Sequence, residues 1–338
     1  MPLISIVTPS LNQGRFIEQT ILSVLGQEYP NVEHIIVDGG SKDNTLSVLK
    51  KYEGTYDMQW TSEPDNGMYQ AINKGLRRTK GEILAYLNAD DLYLPWTTRV
   101  VSEVFDHHPP VDLVYGDMIR MKIDGRYGSI IVNPPQQALR THLRLLTSLT
   151  QPAVFWRRRV FDDLGGFDES FQMAADYDFF LRASRKSRFL KVDEILAIFR
   201  SHPQNKSTRG LAEALAEDAQ VKAKYYGHDS MKVVTERILY RILWSRYCAA
   251  KLFMLSLRRT SQPRGNGGWR HFLATRTLSG SMFWQLGASF VPGFRTLVAH
   301  RKPSSERGYV DARCLLDIAL VKQDAHSRSL VPDPAWEA

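Results

Sequence analysis

The first half of the chain alternates short apolar runs with amphipathic stretches. Runs rich in apolar and β-branched residues at Leu3–Thr8, Val32–Asp38, Met58–Ser62 and Ile83–Leu87 predict strands, the third weaker than the others. Arg15–Leu25, Thr45–Tyr52, Met68–Thr79 and Trp96–His107 carry the spacing of helices with one apolar face, such as Ala71, Ile72 and Leu76. Strand followed by helix, four times in succession, predicts an α/β domain with a largely parallel sheet and crossover helices on both faces. Ligands in such sheets bind beyond the carboxyl ends of the strands.

From Val111 the pattern changes. Val111–Gly116, Met118–Ile123 and Ser129–Val132 read as strands or hairpin arms around Asp124-Gly125. Gln151–Trp156 reads as an apolar strand, and Arg157-Arg158-Arg159 as a solvated helix start. Gly165-Gly166-Phe167-Asp168 leads to a helix that starts near Asp176-Tyr177-Asp178. Phe189–Val192 and Ile195–Arg200 read as strands ending at Ser201-His202, and Leu211–Tyr226 as an amphipathic helix packed on what precedes it. No internal repeat appears.

Charge divides the chain differently. Residues 1–209 carry 25 Lys/Arg and 25 Asp/Glu, whereas residues 210–338 carry 19 and 11, so the net +8 belongs to the second part. No acidic residue occurs between Arg237 and Ser305. That stretch mixes Arg241, Arg246, Lys251, Arg258, Arg259, Arg270, Arg276, Arg301 and Lys302 with Trp244, Phe253, Trp269, Phe272, Phe283, Trp284 and Phe294. Arg and aromatics on interrupted helices suit the headgroup zone of an anionic membrane surface; a plain helical subdomain is the rival reading. No nucleic-acid recognition motif is present. Cys248 and Cys314 form no paired spacing, which fits a reducing, cytoplasmic setting. The N-terminus has no basic n-region, and no apolar run is long enough for a transmembrane helix.

The polar residues gather after the strands: Thr8-Pro9-Ser10-Leu11-Asn12, then Asp38 through Thr45, then Glu63, Asp65 and Asn66, then Asn88, Asp90 and Asp91. Each set alone reads as a turn or cap. Four together on one rim predict a binding site. A strand that ends in adjacent carboxylates can hold a divalent metal, and the metal a diphosphate.

These segments resemble an inverting, nucleotide-sugar-dependent glycosyltransferase of family two with the GT-A fold. The matching stretches are Val7–Asn12, Val37–Thr45, Asn73-Lys74-Gly75, Gly81–Leu92, Gly165–Glu169 and Asp176–Arg182. Their order and spacing agree over some two hundred residues. The resemblance implies a catalytic domain over 1–209, with a nucleotide-sugar half (1–110) and an acceptor half (111–209); charge and helical patterning add a basic helical region (210–338) after it. The resemblance also implies nucleotide-sugar contacts from Thr8, Pro9, Asn12, Asp38, Asp65, Asn88 and Ala89, with Asp38 accepting a hydrogen bond from the base. Asp90 would bind Mg2+ or Mn2+, with His202 beside the diphosphate or the metal. Asp176 would be the catalytic base, with Asp168 and Asp178 on the acceptor side. The acceptor would be a glycan or a lipid-linked glycan of cell-envelope or surface-polysaccharide synthesis.

Three positions depart from the family pattern. Asn88 replaces the first acid of the Asp-x-Asp motif, Gly39 an acid after Asp38, and Ala175 the Glu before the base. They keep open a non-catalytic glycan- or membrane-binding protein with a decayed site. A nucleotidyltransferase also uses carboxylate-held metal at strand ends, but Pro9–Gly14 lacks the Gly-rich, cationic loop that a triphosphate needs. Asn205-Lys206-Ser207 reads as a glycosylation sequon of no consequence without a secretory signal.

Overall fold

A computed structural model describes residues 1–227 and 231–257. The basic and aromatic residues from Arg258 onward and Cys314 lie outside the described residues. Within them the strands are β1 (Ile4–Ser10), β2 (Val32–Asp38), β3 (Met58–Ser62), β4 (Ile83–Tyr86), β5 (Leu92–Tyr93), β6 (Leu113–Lys122), β7 (Tyr127–Ile131), β8 (Val154–Arg157) and β9 (Phe189–Ser201). The helices are α1 (Ile17–Leu25), α2 (Thr45–Tyr52), α3 (Met68–Arg78), α4 (Thr97–His107), α5 (Leu139–Leu145), α6 (Arg158–Leu164), α7 (Ala175–Lys186), α8 (Lys206–Arg209), α9 (Leu211–Tyr226) and α10 (Met231–Leu257).

One nine-stranded sheet runs β3-β2-β1-β4-β8-β6-β9-β5, with β7 paired to β6. Strands β3, β2, β1 and β4 are mutually parallel, so their carboxyl ends share one edge. β8 is antiparallel to both β4 and β6, and β9 is parallel to β6. The carboxyl end of β9, at Ser201, therefore points the same way as those of β1 to β4.

Period-two alternation gives this sheet two apolar faces. Ile4, Ile6, Ile83, Ala85 and Leu87 join one core, with Val101 and Phe105 of α4. Val7, Ile35, Val37, Leu84 and Tyr86 join the other, with Ile72 and Leu76 of α3 and Phe179, Phe180 and Leu181 of α7. Strands covered on both faces are the expected form in an α/β sheet, and each buried side chain of this size contributes about 1.5–3 kcal/mol.

The second half departs from the pattern read in the sequence. Gly116 is no strand break: Leu113–Lys122 is a single strand with a shifted register around Tyr115, Asp117 and Met118. Glycine is needed there because a Cβ would lie 2.5 Å from Leu196 Cγ on the neighbouring strand. The same irregularity lets Phe189–Ser201 continue as one strand where the sequence pattern predicts two. Arg157 and Arg158 are half-buried rather than freely solvated, whereas Arg159 is exposed. Arg157 donates to the carbonyls of Val111 and Phe105, and Arg158 to Gly81 O and Thr79 Oγ1. Helix α10 runs unbroken through the start of the basic stretch. Among the described residues no helix is long and apolar enough to cross a membrane.

Candidate active site

A cavity of about 500 Å3 opens at the carboxyl edge of the sheet. Pro9, Asp65, Asn88, Ala89, Asp90 and Asp176 line it, so residues from three strand ends and the first turn of α7 meet in one space. Tyr69 of α3 and Lys206, just after β9, also reach it. Thr8, Asn12, Asp38, Asp168, Asp178 and His202 do not line it.

The loop after β2 explains Asp38. Its carboxylate is buried and accepts from Gly40 N (3.1 Å), Ser41 N (2.8 Å), Ser41 Oγ (2.5 Å) and Ser62 Oγ (2.7 Å). It holds the loop together and ties β2 to β3. Thr8 Oγ1 lies 2.9 Å from His34 Nε2, and burial pushes that imidazole down to about 3, so it is neutral. Asn12 takes a left-handed φ of 53° and joins the two loops: its N–H donates to Ser41 Oγ and its Oδ1 accepts from Lys42 N. These residues shape the rim from behind.

Gly39 gives the loop its open side. A Cβ there would lie 2.7 Å from Asp65 Oδ2. Asp65 thus fills the space into which a side chain at 39 would project. Its other oxygen accepts from Gly67 N at 2.9 Å.

The turn after β4 is built around two unlike carboxylates. Asp91 is fully buried, accepts from Arg200 N at 3.0 Å, and is held well above the usual carboxylate range by desolvation and by Asp90. Asp90 faces the cavity and accepts from His202 Nε2 at 3.0 Å and Asn205 Nδ2 at 2.9 Å, both on Oδ2. The His202 ring lies 4.4 Å from Phe16, centroid to centroid, which fixes its plane. Nearby, Asn88 Oδ1, His202 Nδ1 and Arg200 Nε and Nη2 are buried without a protein partner. Buried polar atoms are costly to leave unpaired, so such a cluster calls for a ligand or ordered water.

Asp176, in the first turn of α7, is only partly exposed. Its Oδ1 accepts from Tyr177 N at 2.7 Å and from Tyr69 OH at 3.4 Å. Desolvation outweighs these bonds and pushes its carboxyl up to about 7. Asp178, two residues on, points elsewhere. It is fully buried and bound by Arg182 (2.7 Å), Lys224 (3.0 Å) and Tyr225 (2.7 Å). Lys224 also reaches Asp168 at 3.2 Å. The two residues expected on the acceptor side therefore anchor α9.

The remaining motifs are structural. Asn73 of α3 binds Phe167 O at 2.8 Å and Phe167 N at 2.9 Å, clamping the left-handed turn at Gly165-Gly166 before α7. Gly75 lets α3 approach Val7 on β1, where a Cβ would overlap that side chain.

Four residues escaped the sequence reading. Asn205 orients Asp90, and Lys206 donates to Gln172 O at 2.6 Å from the cavity wall. Their spacing of three and four residues after His202 was the available signal. Tyr69 and Glu217 gave none, since their partners lie about a hundred and about forty residues away.

The comparisons agree with this architecture. Residues 5–165 match glycosyl transferase family 2. The PGL/p-HBAD biosynthesis glycosyltransferase of Mycobacterium bovis is 30% identical over 184 residues, covering 54% of this chain and 69% of that protein. An uncharacterized glycosyltransferase of Mycobacterium tuberculosis is 32% identical over 186 residues, with the same coverage. Among solved structures, the mannosyltransferase PcManGT from Pyrobaculum calidifontis, in complex with GDP-Man and Mn2+, aligns with TM-score 0.53 and 18% identity over 95% of this chain and 86% of that one. S. aureus TarS 1-349 in complex with UDP-GlcNAc gives TM-score 0.52 and 15% identity over 96% and 92%. These structures share the GT-A fold with the present chain. With its curled, mostly parallel sheet, its cavity at the strand ends and these sequence relatives, the chain belongs to glycosyl transferase family 2.

Proposed function

We propose that the protein moves a sugar from a nucleotide diphosphate-sugar to a hydroxyl of a glycan or lipid-linked acceptor, with inversion, in cell-envelope or surface-polysaccharide synthesis. The observation that carries this reading is Asp176: a carboxyl in the wall of the cavity that also holds Asp90, with its proton affinity raised to about 7. A base whose pKa matches the working pH accepts a proton most effectively. As the acceptor oxygen bonds to the anomeric carbon, Asp176 takes its proton. The bond from that carbon to the diphosphate breaks, and the diphosphate leaves with the electron pair. A single displacement places the new bond on the face opposite the old one, which is inversion.

The donor end of the cavity suits a nucleotide diphosphate. Pro9 and Leu11 offer apolar surface, and Asp65 Oδ2 presents an acceptor to a base N–H. Lys206 supplies a cation on the wall. The names of the two structural neighbours, with UDP-GlcNAc and with GDP-Man, support the donor class.

A divalent cation fits the same end. Among the described residues no group of three or more His, Cys, Asp or Glu is arranged to hold one. Asp90 would hold it through its carboxylate, with the unpartnered Asn88 Oδ1 nearby; His202, which donates from Nε2 to Asp90 Oδ2, would join as a ligand only by giving up that proton. One or two carboxylates completed by substrate phosphate oxygens and water are the usual arrangement for Mg2+, and carboxylate and carbonyl oxygens also suit Mn2+. Such an ion would neutralise charge on the leaving diphosphate. Asp176→Asn should bind the donor as the parent does and fail to transfer sugar; unchanged transfer removes the reading.

A further inference from the structure

Helix α10 is apolar on two sides, and the described structure covers one of them. On its inner side Leu252 and Ala249 are buried, and Trp244 packs 4.7 Å from His142, ring to ring. Glu236 pairs with Arg144 at 2.8 Å, and Lys251 with Asp117 at 2.9 Å and Asp193 at 2.8 Å. These contacts fix the helix against α5 and the sheet.

The outer side is different. Met231, Ile238, Leu239, Ile242 and Leu243 are between 49% and 80% exposed. Steps of three, four and seven residues stack them on one face. The exposed polar neighbours are Lys232, Thr235, Arg241 and Arg246. Glu236, the one acid of α10, is occupied on the inner side. An exposed row of large apolar side chains with cations beside it marks a surface that meets something other than water.

Charge decides what covers it. A second copy meeting this face across a twofold axis would bring Lys and Arg against Lys and Arg. The chain that follows α10 brings no carboxylate before Glu306. Phosphate alone would leave the Ile and Leu side chains in water. We propose that the outer face of α10 docks on an anionic lipid surface, with its apolar row in the acyl boundary and Lys232, Arg241 and Arg246 at the headgroups. This stands independently of the sugar-transfer reading.

The test is co-sedimentation of the full chain with vesicles of phosphatidylcholine alone or mixed with phosphatidylglycerol. The parent should sediment with the anionic vesicles only, and less so at high salt. Leu239→Ser with Ile242→Ser should lower the partition coefficient by about tenfold or more. Arg241→Ala with Arg246→Ala should lower it by about fivefold per cation. These positions are exposed, and an unchanged thermal midpoint confirms folding of each variant. Equal partition of parent and both variants overturns the proposal, because the binding then lies elsewhere in the chain. So does failure to sediment, whether size-exclusion shows a dimer that Leu239→Ser with Ile242→Ser dissociates, which assigns the face to a second copy, or a monomer, which assigns it to the chain's own later residues.

Discussion

Met173 N–H donates to Glu217 Oε2 at 2.7 Å, across 44 residues of sequence. The same carboxylate accepts from Gln172 N and Ala174 N, both at 2.9 Å. Helix α7 has no side-chain cap of its own, since Ala174 stands at its N-cap. Glu217, from α9, satisfies the orphan donors that precede the helix carrying Asp176. Tyr69 OH completes the hold, its one proton shared between Met173 O at 3.1 Å and Asp176 Oδ1 at 3.4 Å. Glu217→Ala should therefore cost about 1–3 kcal/mol of stability and lower kcat, while the KM for the donor stays near the parent value. Thermal unfolding and donor-dependent kinetics check both parts.

The raised proton affinity of Asp176 sets a pH dependence. Transfer should rise as pH increases through about 7, because only the carboxylate is a base. Asp176→Asn should reduce kcat by about 10^2- to 10^4-fold and flatten that limb of the profile. Stability has the opposite sign. The unfolded carboxyl loses its proton near the ordinary value of 3.8, whereas the folded one keeps it up to about 7. Between those values the folded state binds more protons, so this group makes stability fall as pH rises. Asp176→Asn should then be more stable than the parent at pH 8, and the difference should vanish near pH 4. Chemical denaturation at the two pH values decides it.

The space shared by Gly39 and Asp65 gives a test by double-mutant cycle. Gly39→Ala places a Cβ 2.7 Å from Asp65 Oδ2, closer than van der Waals contact allows. Displacing Asp65 should weaken nucleotide diphosphate binding by about tenfold, or about 1.4 kcal/mol. Asp65→Ala should weaken it similarly. If the two act through one contact, the double variant should be no worse than either single one. Additive losses measured by calorimetry would detach Asp65 from the base.

Asn205 holds Asp90 Oδ2 at 2.9 Å, alongside His202. Residues that orient a ligand typically change metal affinity by about 10- to 100-fold when removed. Asn205→Ala should raise the Mn2+ concentration needed for half-maximal transfer by that factor, with little change at saturation. Metal titration of the reaction separates this from a loss of nucleotide binding.

Much of the site was legible because it lies at the ends of regular elements. Val32–Asp38, Thr45–Tyr52 and Met58–Ser62 have the bounds their apolar periodicity predicts. Parallel pairing of β1 to β4 then brings Asp65, Asn88 and Asp90 to one edge. What could not be read depends on tertiary partners. Asp38 looks like a ligand for a base, yet four donors from its own loop and the end of β3 surround it. Asp178 looks like a second active-site acid, but Lys224 and Tyr225, supplied 46 and 47 residues later, bury it. Gly116 looks like a strand end because the closeness of β6 to β9 is invisible in sequence. Asn205 and Lys206 were hidden by a more familiar meaning of the same three letters.

On the proposed function, the cavity between Asp65, Asp90 and Asp176 binds a nucleotide diphosphate-sugar with a divalent ion and delivers the sugar. Calorimetric titration of the purified chain with UDP-, GDP- and dTDP-sugars, with Mn2+ and after chelation, tests it most directly. At least one donor should bind, and chelation or Asp90→Ala should weaken binding by about tenfold or more. Absence of binding by every donor in the presence of Mn2+, or binding indifferent to both chelation and Asp90→Ala, would contradict it.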